Sequence, residues 1–451
     1  MLSSEYDEAR SVYQGPARDH GPALIAGCLD EDYVVLAIGH ARKIGVRIAV
    51  RGGGHGSDGY AMPAGAFVLD LSKMREVTVD PKTGIVTAQP GVLLGELDQA
   101  TQEHGLVVPA GTVSTTGVAG LTLGGGIGHL MRRFGATVDN VVGFDVVTVD
   151  GRRVHADADT NPDLFWALRG GGGNFGVVTR FEYQGHPFGP EVFSGQVIFP
   201  LDQTLSILTS LPSLLADAPR ELGILAAIAP APASPDIAEA PHGLPVLILV
   251  PMWSGSVDAA ADIVGPLIRL GQPLLETLRP MPWVEANRML EAVAPYGRRM
   301  NLRGGYLANL STGPVQTLIE HAARAATISG AMTTVNLWLL GGAISEDTPE
   351  DAVAFSRESA SWLWETVHMW RDADQDGELQ RAAVSVSAGM APYSLANGYS
   401  NLTDDLGPEW RRGLHGNPVK QARLRAVKKA WDPDNLLRYN KNIDPTEGVL
   451  L

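Results

Sequence analysis

The residues best suited to chemistry lie in a glycine-rich stretch that contains a histidine. The stretch Arg51-Gly52-Gly53-Gly54-His55-Gly56-Ser57 follows a run of apolar, β-branched-rich residues at 46–50. Because glycine lacks a Cβ, backbone N–H groups in such a loop approach a ligand closely and adopt positive φ at little cost. Consecutive N–H groups of this kind form a concave site for anions, typically phosphates. The stretch therefore predicts a dinucleotide site in which His55 is bonded to the ligand.

Two further glycine clusters support an extended ligand. Gly124-Gly-Gly-Ile-Gly128 precedes His129, and a third cluster at 170–173 leads into an apolar run. A single cluster is most simply a tight turn between strands, but three clusters beside strands favour one shared ligand. His129 precedes Leu-Met-Arg-Arg, so packing or hydrogen bonding explains this histidine as well as a direct role does. His55 on its own would more often be a satisfied or surface histidine than a reactive one, but its place between glycines favours a reactive imidazole.

Other cofactor and hydrolase patterns are absent or incomplete. The stretches 54–59 and 171–176 match G-x-G-x-x-G, yet neither leads into a helix, which a nicotinamide dinucleotide site requires. The 11 histidines contain no H-E-x-x-H spacing, and no G-x-S-x-G occurs. The sequence therefore predicts no NAD-type Rossmann site, no metal site and no serine hydrolase.

Composition describes a globular protein of two or three domains. The chain has 451 residues, a formal net charge of −15 and 45% hydrophobic residues. The acidic balance argues against nucleic acid and anionic membranes as partners. Cys28 is the single cysteine and lies among apolar residues, so we expect a buried thiol and no disulfide within the chain. Neither a secretory signal nor a membrane span is recognisable, which makes the cytoplasm the default location.

The elements that must position these loops indicate an α+β fold. A helix is expected between Asp30 and Gly45, and short strands are expected at 46–50, 67–71, 76–80, 85–88 and 176–183. The texture changes near residue 185. Beyond it we expect helices at 205–215, 257–270, 314–326 and 349–370, strands at 245–250 and 334–339, and a surface loop at 229–235. A final helix is expected at 419–430.

The C-terminal part contains two candidate polar elements. Tyr399-Ser-Asn401 combines a phenol and an amide, although a tyrosine here is equally well a core or surface aromatic. Tyr439-Asn440-Lys-Asn442 is either an ordered tail or a source of amides that hydrogen-bond a heteroaromatic ring.

Together these stretches resemble the FAD-linked oxidases of the vanillyl-alcohol-oxidase superfamily, in its berberine-bridge-enzyme-like branch. The resemblance covers nearly the whole chain. It is carried by the stretches 51–55, 109–128, 139–140, 164–176, 431–435 and 440–443.

The resemblance implies a PCMH-type FAD-binding domain of two subdomains at 1–185. It also implies a substrate domain at 186–405, with an antiparallel sheet backed by helices, and a segment at 406–451 that returns to the FAD domain. His55 would carry an 8α-histidyl bond to FAD. Many relatives add a cysteinyl bond, but Val113 occupies that position here, so we expect a single link. The expected cofactor-binding residues are Arg51, Gly52, Gly53, Gly54, His55, Gly56, Ser57, Thr112, Thr115, Thr116, Gly117, Gly120, Gly124, Gly128, His129, Val178, Tyr439, Asn440 and Asn442.

The activity implied is that of an oxidase. Hydride would pass from a small alcohol or amine, such as a secondary metabolite, to flavin N5, and O₂ would then be reduced to H₂O₂. In many relatives a Tyr-x-Asn element on the last strand of the substrate domain supplies a base, which makes Tyr399 and Asn401 the candidate catalytic residues. A phenol serves as a base at neutral pH only where its pKa is lowered. A dehydrogenase, a natural-product tailoring enzyme and a flavin-binding protein with little turnover remain as alternatives.

Overall fold

The computed structural model describes residues 4–19, 21–232 and 243–446. These residues form a mixed fold of helices and largely antiparallel sheets, so the predicted α+β class is confirmed. Among them, no helix is both long and apolar enough to cross a bilayer. The helices, in chain order, are Ser4–Ala9, Glu31–Ile44, Leu94–Gln102, Val118–Leu123, Met131–Phe134, Pro162–Leu168, Thr204–Leu214, Ala260–Ile268, Trp283–Ala286, Thr312–Ala325, Ala343–Glu346, Asp376–Met390, Pro408–Leu414 and Pro418–Trp431.

A small parallel sheet flanks the first glycine loop, with two strands before the loop and one after it. The helix Glu31–Ile44 begins at Asp30, whose side chain accepts hydrogen bonds from two backbone N–H groups, and it ends at Gly45, which has a φ of 70°. These are the residue types that a helix start and a left-handed helix end require. The prediction of this helix is confirmed. The strands of the sheet, in pairing order, are Leu24–Gly27, Phe67–Asp70 and Ile48–Arg51.

A five-stranded antiparallel sheet forms the rest of the first part of the chain. Two of its hairpins turn at residues 81–84 and at Asp150-Gly151, an Asp-Gly pair of the kind that favours a tight turn between strands. The second G-x-G-x-x-G stretch leads directly into a strand rather than a helix. Leu106–Val107 pairs separately with His186–Pro187. In pairing order the five strands are Val77–Val79, Ile85–Ala88, Val177–Gln184, Val141–Val147 and Arg153–Ala156.

A nine-stranded antiparallel sheet dominates the second part of the chain. Helices cover one of its faces, and Leu208, Leu318 and Val386 from three of them pack into its core. The predicted antiparallel sheet backed by helices is therefore confirmed. The strands in the main path are Leu275–Glu276, Val197–Phe199, Pro245–Trp253, Leu222–Pro230, Met332–Leu339, Trp362–Trp370 and Arg299–Leu307, while Glu191–Ser194 pairs with Pro245–Trp253 and with Arg279–Pro282.

The helix predicted at 349–370 is wrong. Its second half is the strand Trp362–Trp370, which pairs on both sides within the sheet. The run Trp-Leu-Trp-Glu-Thr-Val-His-Met-Trp is rich in aromatic and β-branched residues, which fit a buried strand better than a helix. The helix Asp376–Met390, which the sequence interpretation missed, follows this strand.

The C-terminal segment returns to the first part of the chain. The helix Pro418–Trp431 packs Leu424 and Val427 into the core of the five-stranded sheet, and Leu437 joins the core of the small parallel sheet. The predicted surface loop at 229–235 begins inside the strand Leu222–Pro230, and its last three residues lie outside the described residues.

Two buried histidines contact each other on the helix-covered face of the large sheet. His321 Nε2 lies 2.9 Å from His368 Nε2, and His368 Nδ1 lies 2.7 Å from Asn301 Oδ1. Burial, followed by the charge of Arg324, lowers the pKa of His321 to about 4. Burial, followed by His321 and Arg303, lowers the pKa of His368 to about 3. Both imidazoles are therefore neutral at pH 7.

Acidification below about pH 6.5 is expected to destabilise the protein, because the unfolded histidines bind protons there and the folded ones do not. This stability is present above the unfolded pKa and is lost as pH falls toward 4. Urea unfolding at pH 7.5 and pH 5 measures the loss. The double variant His321→Leu/His368→Leu should lose on the order of 2–4 kcal/mol less than the wild type on acidification. The exposed control His40→Leu should behave as the wild type. If the double variant lost as much free energy of unfolding on acidification as the wild type, His321 and His368 would not be the source of this pH dependence.

Candidate active site

A cavity of about 530 Å³ lies where the glycine loops meet the face of the large sheet opposite its helices. This volume is typical of small-molecule sites. The sheet presents alternate residues: along Met332–Leu339, Val335 and Leu337 join the core, whereas Asn336 and Trp338 line the cavity. Thr334 lines the cavity from the same strand. The lining residues on the other strands of the sheet are Leu225, Ala227, Ala229, Ile248, Val250, Leu302, Glu365, Val367 and Met369.

Two glycine loops cross at the edge of this cavity. A Cβ on Gly53 would lie 2.4 Å from the Gly117 Cα, and one on Gly117 would lie 2.5 Å from the Gly53 nitrogen. Gly54 has a φ of 68°, which disfavours any other residue. A Cβ on Gly56 or Gly120, by contrast, would meet open space. The glycines thus permit the crossing and leave room for a ligand.

The first glycine loop offers free donors. Within the described part of the chain, the backbone N–H groups of Gly53, Gly54, His55 and Gly56 donate to no protein acceptor. Adjacent unpaired N–H groups of this type bind anions. Arg51 does not line the cavity. Its guanidinium instead donates to the carbonyls of residues 9 and 11 and pairs with Asp70 at 3.4 Å.

The imidazole of His55 is held between aromatic rings. Its ring stacks on Tyr13 with a centroid separation of 3.8 Å and an interplanar angle of 13°. Tyr296 meets it edge-on at 5.7 Å. His55 Nε2 lies 3.4 Å from the Thr115 hydroxyl. Burial lowers the pKa of His55 to about 4, so the ring is neutral at pH 7 and retains a nucleophilic nitrogen.

The loop after His55 is tied to residues 404 and 405 near the C-terminal part of the chain. Ser57 Oγ donates to Asp404 at 2.8 Å, and Tyr60 Oη donates to Asp405 at 2.7 Å. Asp58 accepts a hydrogen bond from the backbone N–H of Asp405 at 2.8 Å and forms an ion pair with Lys441. These contacts join segments that are more than 340 residues apart and hold Ser57, Asp58 and Tyr60, which line the cavity.

Tyr399 and Asn401 both line the cavity. The Tyr399 oxygen accepts hydrogen bonds from the Gly126 N–H at 3.1 Å and from Asn401 Nδ2 at 3.0 Å. Burial outweighs these two donors and raises the pKa of Tyr399 to about 12, opposite to the shift that a base requires. The element is not on a strand, because Tyr399 is the extended residue before the short 3₁₀ turn Ser400–Leu402.

The C-terminal amides divide between the cavity and its surroundings. Asn440 lines the cavity, and its Nδ2 donates to the Gly173 carbonyl at 3.2 Å. The buried Oδ1 atom of Asn440 has no partner in the described residues, which leaves an acceptor for a ligand. Asn442 lies outside the lining, although its Oδ1 is also buried and unpartnered.

Most of the expected cofactor-binding residues line the cavity, and five do not. His129 is buried against Trp338, with a ring separation of 5.9 Å, and burial lowers its pKa to about 4. Gly128 packs against the Ala110 carbonyl, which a Cβ would approach to 1.9 Å. The residues outside the lining are Arg51, Thr115, Gly128, His129 and Asn442. Those inside it are Gly52, Gly53, Gly54, His55, Gly56, Ser57, Thr112, Thr116, Gly117, Gly120, Gly124, Val178, Tyr439 and Asn440.

The sequence interpretation missed several polar or aromatic residues at the cavity, among them Tyr13, Asn336 and Glu365. Tyr13 belongs to the N-terminal segment, which has no motif that marks it as a neighbour of His55. Glu365 and Asn336 lie opposite each other on adjacent strands. The available signal for Glu365 was a lone carboxylate within an aromatic run, and assigning that run to a helix obscured the face on which it lies.

The residues of the cavity fit FAD. The unpaired N–H groups of the glycine loop suit a pyrophosphate, and the free Asn440 oxygen suits the polar edge of a flavin. Ile48, Leu71 and Val177 supply apolar contacts for ring systems. In the described residues no group of three metal-ligating side chains could hold a metal ion.

Comparison with known proteins agrees with this reading of the cavity. Residues 22–157 match the FAD binding domain family, and residues 398–444 match the family described as berberine and berberine like. An FAD-linked oxidoreductase of Dictyostelium discoideum is 28% identical over 95% of this chain and 90% of its own. The (R)-6-hydroxynicotine oxidase of Paenarthrobacter nicotinovorans is 27% identical over 98% and 95%.

A solved structure has the same fold. The crystal structure of 6-hydroxy-D-nicotine oxidase from Arthrobacter nicotinovorans superposes with a TM-score of 0.86 at 24% identity, covering 98% of this chain and 96% of that one. The match therefore includes both the glycine loops and the large antiparallel sheet. The chain therefore contains an FAD binding domain and a berberine-like domain, is an FAD-binding oxidoreductase, and is similar along nearly its whole length to members of the berberine-bridge-enzyme-like branch of FAD-linked oxidases.

Proposed function

We propose that this protein is an oxidase whose FAD is attached covalently through His55 alone. The observation that carries the proposal is the position of His55. Its neutral imidazole is fixed by Tyr13 at the rim of the cavity, next to four unpaired backbone N–H groups of the glycine loop. A neutral ring nitrogen beside a bound flavin is the arrangement that covalent attachment requires.

A second covalent link has no residue to form it. Val113 lines the cavity at the position where many relatives have a cysteine. Cys28 is buried in the core beneath the small parallel sheet, and burial raises the pKa of its thiol to about 11. A protonated thiol in a separate core cannot attack the flavin.

Different parts of the chain would bind the cofactor and the substrate. We assign residues 1–185 and 406–451 to FAD binding, because the glycine loops, Tyr439 and Asn440 line the cavity from these parts. Residues 186–405 would hold the substrate through the face of the large sheet opposite its helices. Bound FAD supplies hydride acceptance from a substrate C–H bond and delivery of the electrons to O₂, which yields H₂O₂.

The side chains of this protein would orient the substrate and exclude water. Two N–H donors already occupy the Tyr399 oxygen, so its own hydroxyl hydrogen is available to the substrate. With a pKa of about 12, Tyr399 remains protonated at neutral pH and would act as a hydrogen-bond donor rather than as the base. Asn401 fixes the phenol and is itself held by the Leu121 carbonyl at 3.0 Å.

Two measurements test the proposal. Wild-type protein saturated with FAD should remain yellow after acid precipitation, and peptide mass spectrometry should find the flavin on the peptide that contains His55. A colourless precipitate would rule out the covalent link. Substrate oxidation in air should release one H₂O₂ per substrate, and a reduced flavin that persists for minutes in air would instead identify a dehydrogenase.

A further inference from the structure

Four carboxylate residues are buried among the described residues, and Glu365 differs from the other three. In Asp70, Asp98 and Asp432 both carboxylate oxygens have partners. Glu365 Oε1 accepts hydrogen bonds from the side chains of two neighbours, whereas Oε2 has no partner in the described residues. Asp70 accepts hydrogen bonds from Arg51 and the Ser72 N–H, and Asp98 accepts them from Trp283 and Asn287. Asp432 accepts them from Lys428 and from the N–H groups of Leu436 and Leu437.

Glu365 lies on the wall of the cavity that the large sheet forms. It is 4% exposed. The directly opposite residue, Asn336, donates to Oε1 at 3.0 Å, and Trp338 donates at 3.1 Å. Along the same strand, Val367 and Met369 face the cavity on the same side. The free oxygen is therefore the charged group on a wall that also offers apolar contacts.

No cationic side chain among the described residues of the cavity lining pairs with Glu365. Among the described residues that line the cavity, the remaining acidic and basic side chains are Asp58 and Lys441, which pair with each other. The two histidines of the lining, His55 and His415, are neutral because burial lowers the pKa of each to about 4. The cavity thus has one uncompensated carboxylate.

An unpaired buried carboxylate costs free energy unless a partner reaches it. Burial raises the pKa of Glu365 to about 6, so the group is still mostly ionised at pH 7.5. The free oxygen is an acceptor, and its charge favours a cationic donor over a neutral one. An anion would be repelled.

We propose that Glu365 anchors the substrate, its Oε2 accepting a charge-assisted hydrogen bond from a protonated amine on a small apolar molecule. This inference rests on the proposed function, because it assigns the substrate class of the same cavity. The apolar side chains around Glu365 would contact the body of the molecule, while the carboxylate fixes the position of its nitrogen.

Calorimetry on anaerobic, dithionite-reduced holoenzyme at pH 7.5 tests the inference without turnover. The probes are N-methylbenzylamine, benzyl alcohol and benzoate, which share a ring and differ in charge. Wild-type protein should bind the amine most tightly and benzoate most weakly. Glu365→Gln keeps the shape of the side chain but removes its charge, and should weaken amine binding by about 10–100-fold while changing alcohol binding by less than about 3-fold.

Asp98→Asn is the matched control. Asp98 is also 4% exposed and burial raises its pKa to about 6, but both its oxygens are partnered away from the cavity. Amine binding should therefore be unchanged in this variant.

Several results would overturn the inference. These are equal losses of amine and alcohol binding in Glu365→Gln, no measurable binding of the amine, or wild-type binding of benzoate as tight as that of the amine. The wild-type order of the three probes decides the question even if the variant fails to fold. A yellow protein without amine preference refutes only this inference, whereas a protein that binds no flavin refutes the proposed function.

Discussion

In the His55→Ala variant, FAD is expected to bind reversibly instead of covalently. Acid precipitation should therefore release the FAD and leave a colourless protein. Alanine removes the nitrogen that we propose bonds to the flavin but keeps the unpaired N–H groups of the loop, so reversible binding of FAD should persist. A ligand that dissociates stabilises the folded state according to its concentration, by about 2.7 kcal/mol at 100 times Kd. The thermal midpoint of the variant should therefore rise with added FAD, whereas that of the saturated wild type should not.

Substitutions of Tyr13 separate the bond from the positioning of the ring. Tyr13→Phe retains the stacked aromatic ring, so the covalently bound fraction should stay close to that of the wild type. Tyr13→Leu removes the stack and should lower the rate at which added FAD becomes acid-stable, with reversible binding retained. The exposed His40→Ala variant serves as the control for loss of a histidine. Acid-stable flavin in His55→Ala would place the bond on another residue.

In the Tyr399→Phe variant, flavin reduction by substrate is expected to slow by about 10–100-fold, the effect of losing one hydrogen bond to a group that becomes charged. Removal of a true general base costs up to about 10⁴-fold. Because the pKa of Tyr399 is raised to about 12, its hydroxyl stays protonated between pH 6 and 9. A plot of the flavin-reduction rate against pH from 6 to 9 should therefore have the same shape in the wild type and in Tyr399→Phe. Anaerobic stopped-flow measurements give both quantities.

Tyr306→Phe is the matched control for this experiment. Tyr306 is fully buried in the same core cluster as Tyr399, and its hydroxyl has no partner among the described residues. Its removal should leave the reduction rate unchanged. If Tyr399→Phe were reduced as fast as the wild type, Tyr399 would have no role in the reaction, and an inflection lost only in that variant would restore the base assignment.

The proposed covalent bond and the proposed anchoring of the substrate depend on different parts of the fold. His55 is presented by a contiguous loop whose glycines permit the crossing with Gly117. The polar groups at the sheet, Glu365 and Asn336, meet because two strands pair in register. A substitution in the glycine loop should therefore affect cofactor loading, whereas a substitution on the sheet should affect substrate selection.

Sequence patterns correctly predicted those helices and strands whose conformation is set by residues adjacent in the sequence. The helix Glu31–Ile44 was recognisable because its capping residues, Asp30 and Gly45, are adjacent to it. The strand Trp362–Trp370 was assigned to a helix, because a continuous apolar run has no period that separates a buried strand from a buried helix. Only its pairing with two neighbouring strands fixed its conformation.

By itself the sequence determined the glycine loops, the histidine inside the first of them and the presence of an FAD-binding fold, because these depend on residue types in continuous stretches. The tertiary structure decided which groups face the cavity and how they ionise. Tyr13 stacks on His55 from 42 residues away, Glu365 acquires an unpaired oxygen, and the pKa of Tyr399 rises. The physical reason is that burial and electrostatic environment are set by side chains far apart in sequence, which no local pattern encodes.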